Sequence, residues 1–197
     1  MTTPNALEFI ERLDGLSSRD AVWSAFMGFF RQFGFIYGGV ANIPGPQQRI
    51  EETTLCLSWP MEWRDRYFAR NYITDDPVNL HLTRTDQPFT WTEMLSLPDY
   101  TKRQRRIVDE ASEFGLVTGL IVPLRSPSNS PALVTISGGA LELSPRDRTE
   151  LHVGAIYRHA RIRALGGNNG RTLKAPHLSP RERDAFNGRR SARRTGR

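Results

Sequence analysis

The sequence predicts an α+β fold, an α/β/α sandwich around a central, largely antiparallel sheet. Three observations predict it. Apolar residues recur at helical spacing in several segments, short β-type runs lie between those segments, and the runs are paired across turn-rich connections. The order along the 197 residues is helices, strands, helices, strands, helix.

Ala6, Phe9, Ile10 and Leu13 mark a first amphipathic helix. Val22, Ala25, Phe26, Phe29, Phe30 and Phe33 mark a second over Ala21 to Phe33, with Ser18 or Asp20 as its cap. Gly34 leads into a strand over Phe35 to Asn42, and Thr53 to Leu57 forms its antiparallel partner across the turn signal Ile43-Pro44-Gly45-Pro46. Pro60 suits a first helical turn, so Met61 to Asn71 reads as a helix with Trp63, Tyr67 and Tyr72 facing one way. Pro98 similarly opens a helix over Asp99 to Phe114, with Lys102, Arg103, Arg105 and Arg106 on one side and Gly115 as its stop. Thr118 to Pro123 and Ala132 to Ser137 form a hairpin across a loop rich in Ser and Pro. Ser144-Pro145 caps a final helix through Leu165, whose inward stripe is Leu151, Ile156, Ala160 and Ile162.

Composition excludes several classes of protein. With 38% hydrophobic and 24% charged residues the chain is that of a folded domain. No apolar run approaches the length of a bilayer span, and the N-terminus has no basic-then-apolar signal, so a soluble, cytoplasmic protein is expected without membrane association. Cys56 is the single cysteine, which removes intramolecular disulfides and cysteine-rich zinc sites. His81, His152, His159 and His177 lack metal-ligand spacing, and there is neither a nucleophile elbow nor a phosphate-binding glycine loop. Neither metal, cofactor nor enzymatic activity is expected. Gly38-Gly39, inside a strand, marks a bulge or close packing.

The net charge of +6 is unevenly spread: residues 165–197 hold nine Lys or Arg and two acids, leaving 18 basic and 19 acidic residues in the body. Attraction to phosphate therefore belongs to the tail.

One cluster stands out: Trp59, Trp63, Tyr67, Tyr72, Asp75, Asp76, Pro77 and Trp91. Trp59, Trp63 and Tyr67 are spaced i, i+4, i+8 and share a helical face. A core stripe has the same spacing, and Asp76 before Pro77 also reads as a turn or cap. A binding site requires both features together, a carboxylate facing an aromatic-lined cavity.

Trp63-x-x-x-Tyr67, Asp76-Pro77 nine residues later, Trp91, and Gly119 within Phe114-Gly115-Leu116-Val117-Thr118-Gly119 resemble the ligand-binding domain of LuxR-type quorum-sensing regulators. The resemblance covers residues 5–165, and Leu178-Ser179-Pro180-Arg181-Glu182-Arg183 resembles the opening of the family's C-terminal helix-turn-helix domain. It implies an N-acyl-homoserine lactone as ligand. Trp63 would donate to the lactone carbonyl, Asp76 would accept from the amide N–H, and Tyr67 and Trp91 would pack against acyl chain and ring. Thr135 would set a hydroxyl near the amide end, and Gly119 and Pro77 would be structural, Gly119 letting strands approach. One position departs: Trp59 stands where the family commonly has a tyrosine whose hydroxyl contacts the amide carbonyl.

Residues 166–177 then form a linker, and residues 178–197 an incomplete helix-turn-helix start with a basic tail, too short for a DNA reader. The expectation is a module that forms a homodimer, or a heterodimer with a full-length LuxR-type regulator that it inhibits, without sequence-specific DNA binding of its own. The alternatives are an inactive remnant of such a regulator and a non-specific nucleic-acid binder acting through the basic tail.

Overall fold

The computed structural model describes residues 5–43, 54–125, 131–139 and 142–166. The expected linker and incomplete helix-turn-helix segment lie outside them, except for Gly166, as do the turns around 44–46 and 126–130.

Helices α1 (Ala6–Asp14) and α2 (Arg19–Arg31) are capped by side chains, Asn5 accepting from the Leu7 N–H and Ser18 from the Ala21 N–H. Strands β1 (Phe35–Asn42) and β2 (Thr54–Leu57) follow, then α3 (Met61–Ala69) behind Pro60 and a 3-10 turn over Tyr72–Thr74. Three short elements come next: α4 (Pro77–His81), β3 (Phe89–Thr90) and α5 (Trp91–Ser96). Helix α6 (Lys102–Ser112), the hairpin of β4 (Thr118–Arg125) and β5 (Pro131–Gly138), and the long α7 (Pro145–Gly166) complete the order.

The five strands run β2-β1-β5-β4-β3, each antiparallel to its neighbours. Alternate residues feed opposite faces. Val40, Leu120, Val122, Val134 and Ile136 join Phe9, Phe26, Phe29 and Phe30 and the inner face of α7 in one core. Ile121 and Leu133 join Trp63, Tyr67, Trp91, Ile107 and Leu116 in the other. The layers are thus helix, sheet, helix, as expected.

Several expectations change, and the helix expected over Met61 to Asn71 ends at Ala69, ahead of Asn71 at a positive φ of 49°. Helix α6 begins at Lys102 and not at Asp99, because Thr101 accepts from the Gln104 N–H while the Gln104 side chain accepts from the Thr101 N–H, a reciprocal cap stronger than the preceding Pro98. Arg105 leaves the exposed basic face, turning its guanidinium onto the carbonyls of Leu95, Leu97 and Tyr100. The inward stripe of α7 contains Leu151 and Ile162 but neither Ala160 nor Ile156, which is 41% exposed. Gly154, Ala155, Arg158 and His159 are buried instead. A β-carbon on Gly154 would lie 2.7 Å from the Phe29 ring, and the Arg158 guanidinium covers the rings of Trp23 and Phe26 at 4.7 and 4.6 Å. A count of apolar residues registers neither kind of core contact. Burial, with Arg163 and Arg158 nearby, pulls the His159 imidazole down to about 4.

Gly119 is close-packed, but against an indole and not a strand: a β-carbon there would sit 2.4 Å from Trp91. Gly119→Ala therefore forces Trp91 off its seat, and equilibrium urea unfolding is expected to register a loss of roughly 1–3 kcal/mol. Wild-type stability in that variant would show that the indole has free room to shift.

Candidate functional site

The second core is incompletely filled. Between the sheet and helices α3 to α6 lies a cavity of about 80 Å³. Trp59, Trp63, Tyr67, Asp76, Trp91 and Thr135 all line it. The site residues expected from sequence thus meet in one place, with Pro77 behind them as the first residue of α4 and Gly119 beneath Trp91.

The sheet supplies the floor. A single cross-strand row runs Leu57, Gly39, Thr135, Ile121, Phe89, one residue from each strand, and the first four line the cavity. Gly39 contributes no side chain, which leaves open space beside Thr135. Its neighbour Gly38 serves the opposite face, where a β-carbon would lie 3.0 Å from the Met27 sulfur. The glycine pair is thus a close-packing device without a bulge at that point.

Helix α3 supplies the wall. Its spacing puts Trp63 and Tyr67 on one side, both buried, with Trp59 just ahead of the helix. Ring centroids lie 5.3 Å apart for Trp59 and Tyr67, 5.8 Å for Trp63 and Tyr67, and 6.4 Å for Trp59 and Trp63, in tilted or edge contacts. Trp63 also meets Tyr72 at 6.1 Å and Phe114 at 5.7 Å. Among the described residues the indole nitrogens of Trp59 and Trp91 are buried without a hydrogen-bond partner.

Asp76 stands at the opening of α4 as its N-cap, since Pro77 needs no donor partner at the first helical position. One carboxylate oxygen accepts from the Val78 N–H at 2.8 Å and the other from the Tyr67 hydroxyl at 2.7 Å. Burial raises the Asp76 carboxyl above its ordinary range even against these two donors. Burial, the Asp76 charge and the bond to it push the Tyr67 phenol well above its ordinary value, so Tyr67 remains a donor. A carboxylate has about four acceptor positions, and two are used here.

Composition did not single out Asn79 or Glu110. Asn79 lines the cavity and donates to the Ile73 carbonyl at 3.0 Å; its signal was its place in the first turn after Asp76-Pro77. Glu110, on α6, is 5% exposed and braces the wall from outside. It accepts from the Tyr72 hydroxyl at 2.8 Å, from Arg106 at 2.8 Å and, through both carboxylate oxygens, from Arg70 at 2.8 and 3.0 Å. Burial works to raise its carboxyl, but Tyr72, Arg106 and Arg70 together hold it below the usual range.

Among the described residues no three His, Cys, Asp or Glu side chains gather as a metal site would require. No described helix is long and apolar enough to cross a membrane.

A model of the autoinducer binding domain matches residues 18–162. The chain is 33% identical over 177 residues to the HTH-type quorum sensing-dependent transcriptional regulator RpaR of Rhodopseudomonas palustris, covering 90% of this chain and 71% of that protein. It is 30% identical over 181 residues to the transcriptional activator protein BjaR1 of Bradyrhizobium diazoefficiens, covering 92% and 74%. In fold it is similar to SdiA solved in complex with octanoyl-rac-glycerol, with a TM-score of 0.67 at 15% identity over 95% of this chain and 76% of that one. It is similar also to the N-acylhomoserine lactone dependent factor CepR2 of Burkholderia cenocepacia, with a TM-score of 0.61 at 16% identity over 81% and 94%. The chain belongs to the autoinducer-binding domain family of LuxR-type quorum-sensing regulators.

Glu110→Gln leaves an amide oxygen where three donors converge on a carboxylate. Its expected cost in urea unfolding is about 1–3 kcal/mol, with a change in tryptophan emission as Tyr72 releases Trp63; an unchanged midpoint would mean that the arginines are satisfied by water.

Proposed function

We propose that the cavity binds an N-acyl-homoserine lactone and that Asp76 is the group that recognises it. The observation that carries this reading is the buried carboxylate, raised in pKa, with two donors and open acceptor capacity facing an aromatic cavity. An amide N–H is the complementary group: a charge-assisted hydrogen bond contributes roughly 1.5–3 kcal/mol and offsets the desolvation of the ion. Trp63 supplies an indole N–H for the lactone carbonyl, Thr135 a hydroxyl near the amide end, and Tyr67 and Trp91 apolar surface for ring and chain. The relatives are transcriptional regulators, which supports a sensing role and not a catalytic one.

The test is thermal unfolding and tryptophan quenching with and without a panel of N-acyl-homoserine lactones. A ligand at about 100 times its dissociation constant adds roughly 2.7 kcal/mol and raises the midpoint by several degrees. Asp76→Asn should weaken binding by about 10- to 100-fold. The pH dependence has a definite sign. A carboxyl whose folded-state pKa is raised contributes stability below its unfolded value and loses it as pH rises through the folded value. A ligand that donates to the ion reverses this preference, so affinity is greatest above the folded pKa and falls on acidification through it. The profile should be flat in Asp76→Asn. A folded protein that no lactone stabilises would sink the proposal.

The response reaches transcription through a dimer, either of two copies or with a full-length LuxR-type regulator. Ile156 and Tyr157, 41% and 51% exposed on α7, offer apolar surface for it. Replacing both by glutamate should reduce the sedimenting dimer and co-purification with a full-length relative; unchanged association would move the interface elsewhere.

A further inference from the structure

Helix α7 packs on the opposite face of the sheet from the cavity, yet its first turn reaches the cavity's own layer. Arg148 donates through Nη1 and Nη2 to the two carboxylate oxygens of Glu93 on α5, and Nη2 also meets the Pro88 carbonyl at 3.0 Å. Both ends of this contact are helix starts. The Thr90 hydroxyl accepts from the Glu93 N–H at 3.1 Å while Glu93 accepts from the Thr90 N–H at 2.8 Å, and Ser144 and Asp147 exchange the same pair of bonds at the opening of α7. Other side-chain bonds of α7 stay within its own layer: Glu150 accepts from the Ala6 N–H, and Arg161 donates to the carbonyls of Asp14 and Leu16.

What Glu93 holds is Trp91. Helix α5 has six residues, too few to be stable alone, so its capped first turn sets its orientation. Trp91 is the first of those residues, and its indole lines the cavity and presses on Gly119 with no room for a β-carbon between them. A displaced cap therefore displaces the indole. The Arg148 and Glu93 side chains are 32% and 49% exposed, and an ion pair so open to water contributes little to stability. Its value is geometric: a guanidinium that grips both oxygens of a carboxylate and a neighbouring carbonyl fixes an orientation that a single-point contact cannot. The bond from Arg148 holds the Glu93 carboxyl below its ordinary value against the opposing effect of burial.

We propose that Arg148 is a positioning residue of the pocket: by clasping Glu93 and the Pro88 carbonyl it holds the start of α5, and so Trp91, and couples occupancy of the cavity to the first turn of α7. This rests on the lactone reading above. Ligand packed against Trp91 restrains the start of α5, and the clasp passes that restraint to one continuous helix, which carries the exposed Ile156 and Tyr157 about two turns further on. The coupling is reciprocal, so whatever fixes the start of α7 also favours the seated indole.

Arg148→Met removes the clasp, and Glu93→Gln weakens it while keeping a side chain that can still cap Thr90. Dissociation constants for butanoyl-, hexanoyl-, octanoyl- and dodecanoyl-homoserine lactone are measured on the full chain, with residue-resolved amide exchange with and without the tightest of them. In the wild type, lactone should slow exchange at Glu93 and at residues 149–153 by roughly tenfold. Arg148→Met should weaken every lactone by about three- to tenfold and abolish the protection of residues 149–153, while its unfolding midpoint moves by no more than about two degrees. Glu93→Gln should do the same, and the double variant should add nothing to either. Arg146→Met, which removes the ion pair to Glu150 in the same turn, should match the wild type. Protection of residues 149–153 that is equal in the wild type and Arg148→Met overturns the coupling, and effects of the two single variants that add overturn the clasp. A folded wild type that binds no lactone overturns the lactone reading together with this one, whereas failure of Arg148 alone leaves wild-type binding intact.

Discussion

The Asp76 carboxylate ties two helices of the aromatic layer to one buried anion. One oxygen closes the first turn of α4 and the other holds the Tyr67 hydroxyl of α3, so two helices separated by a 3-10 turn share one anion. A carboxylate in such surroundings is costly unless donors reach it. The two it has among the described residues hold it and leave acceptor capacity open. The start of α4 and the orientation of Tyr67 both depend on those two bonds.

A second carboxylate works from the outside with the opposite balance. Glu110 receives Tyr72, Arg70 and Arg106 within 3.0 Å, and its pKa is lowered where that of Asp76 is raised. It is saturated, and so it acts as a brace: Tyr72 touches both Trp63 and Tyr67, and fixing its hydroxyl fixes the back of the wall. Two buried acids in one layer therefore have different characters, decided by the number of donors that each neighbouring helix brings.

Much of this was legible in the residues. The β1 span, the β4–β5 hairpin, the Ser18 cap and the Gly115 stop follow local rules of periodicity and turn chemistry, and they lie where those rules put them. Spacing alone left Trp63, Tyr67 and Asp76 open to a core stripe and a helix cap; the family resemblance implied a shared site with Trp91, and all four line the cavity. What was not legible depends on partners distant in sequence. Elements α4, β3 and α5 have five, two and six residues, too few for a periodic signal. Glu110 reads as a solvated charge until Arg70 and Tyr72 are brought to it, and Arg158 becomes a core residue only because Trp23 and Phe26 lie beneath it. Gly119 signalled close approach, but not that an indole was the neighbour.

The Gly38-Gly39 step in β1 has a consequence for how such a pocket is gained or lost. Successive residues of a strand face opposite layers, so the open space beside Thr135 exists because the glycine in register with it is Gly39 and not Val40. Sliding β1 by one residue would bring Val40 over Thr135 and Gly39 into the other layer, filling the receptor side and hollowing the structural side in one event. The capacity to hold a small molecule is in this sense a property of strand alignment. An insertion or deletion ahead of β1 can abolish it without any substitution among the residues that line the cavity.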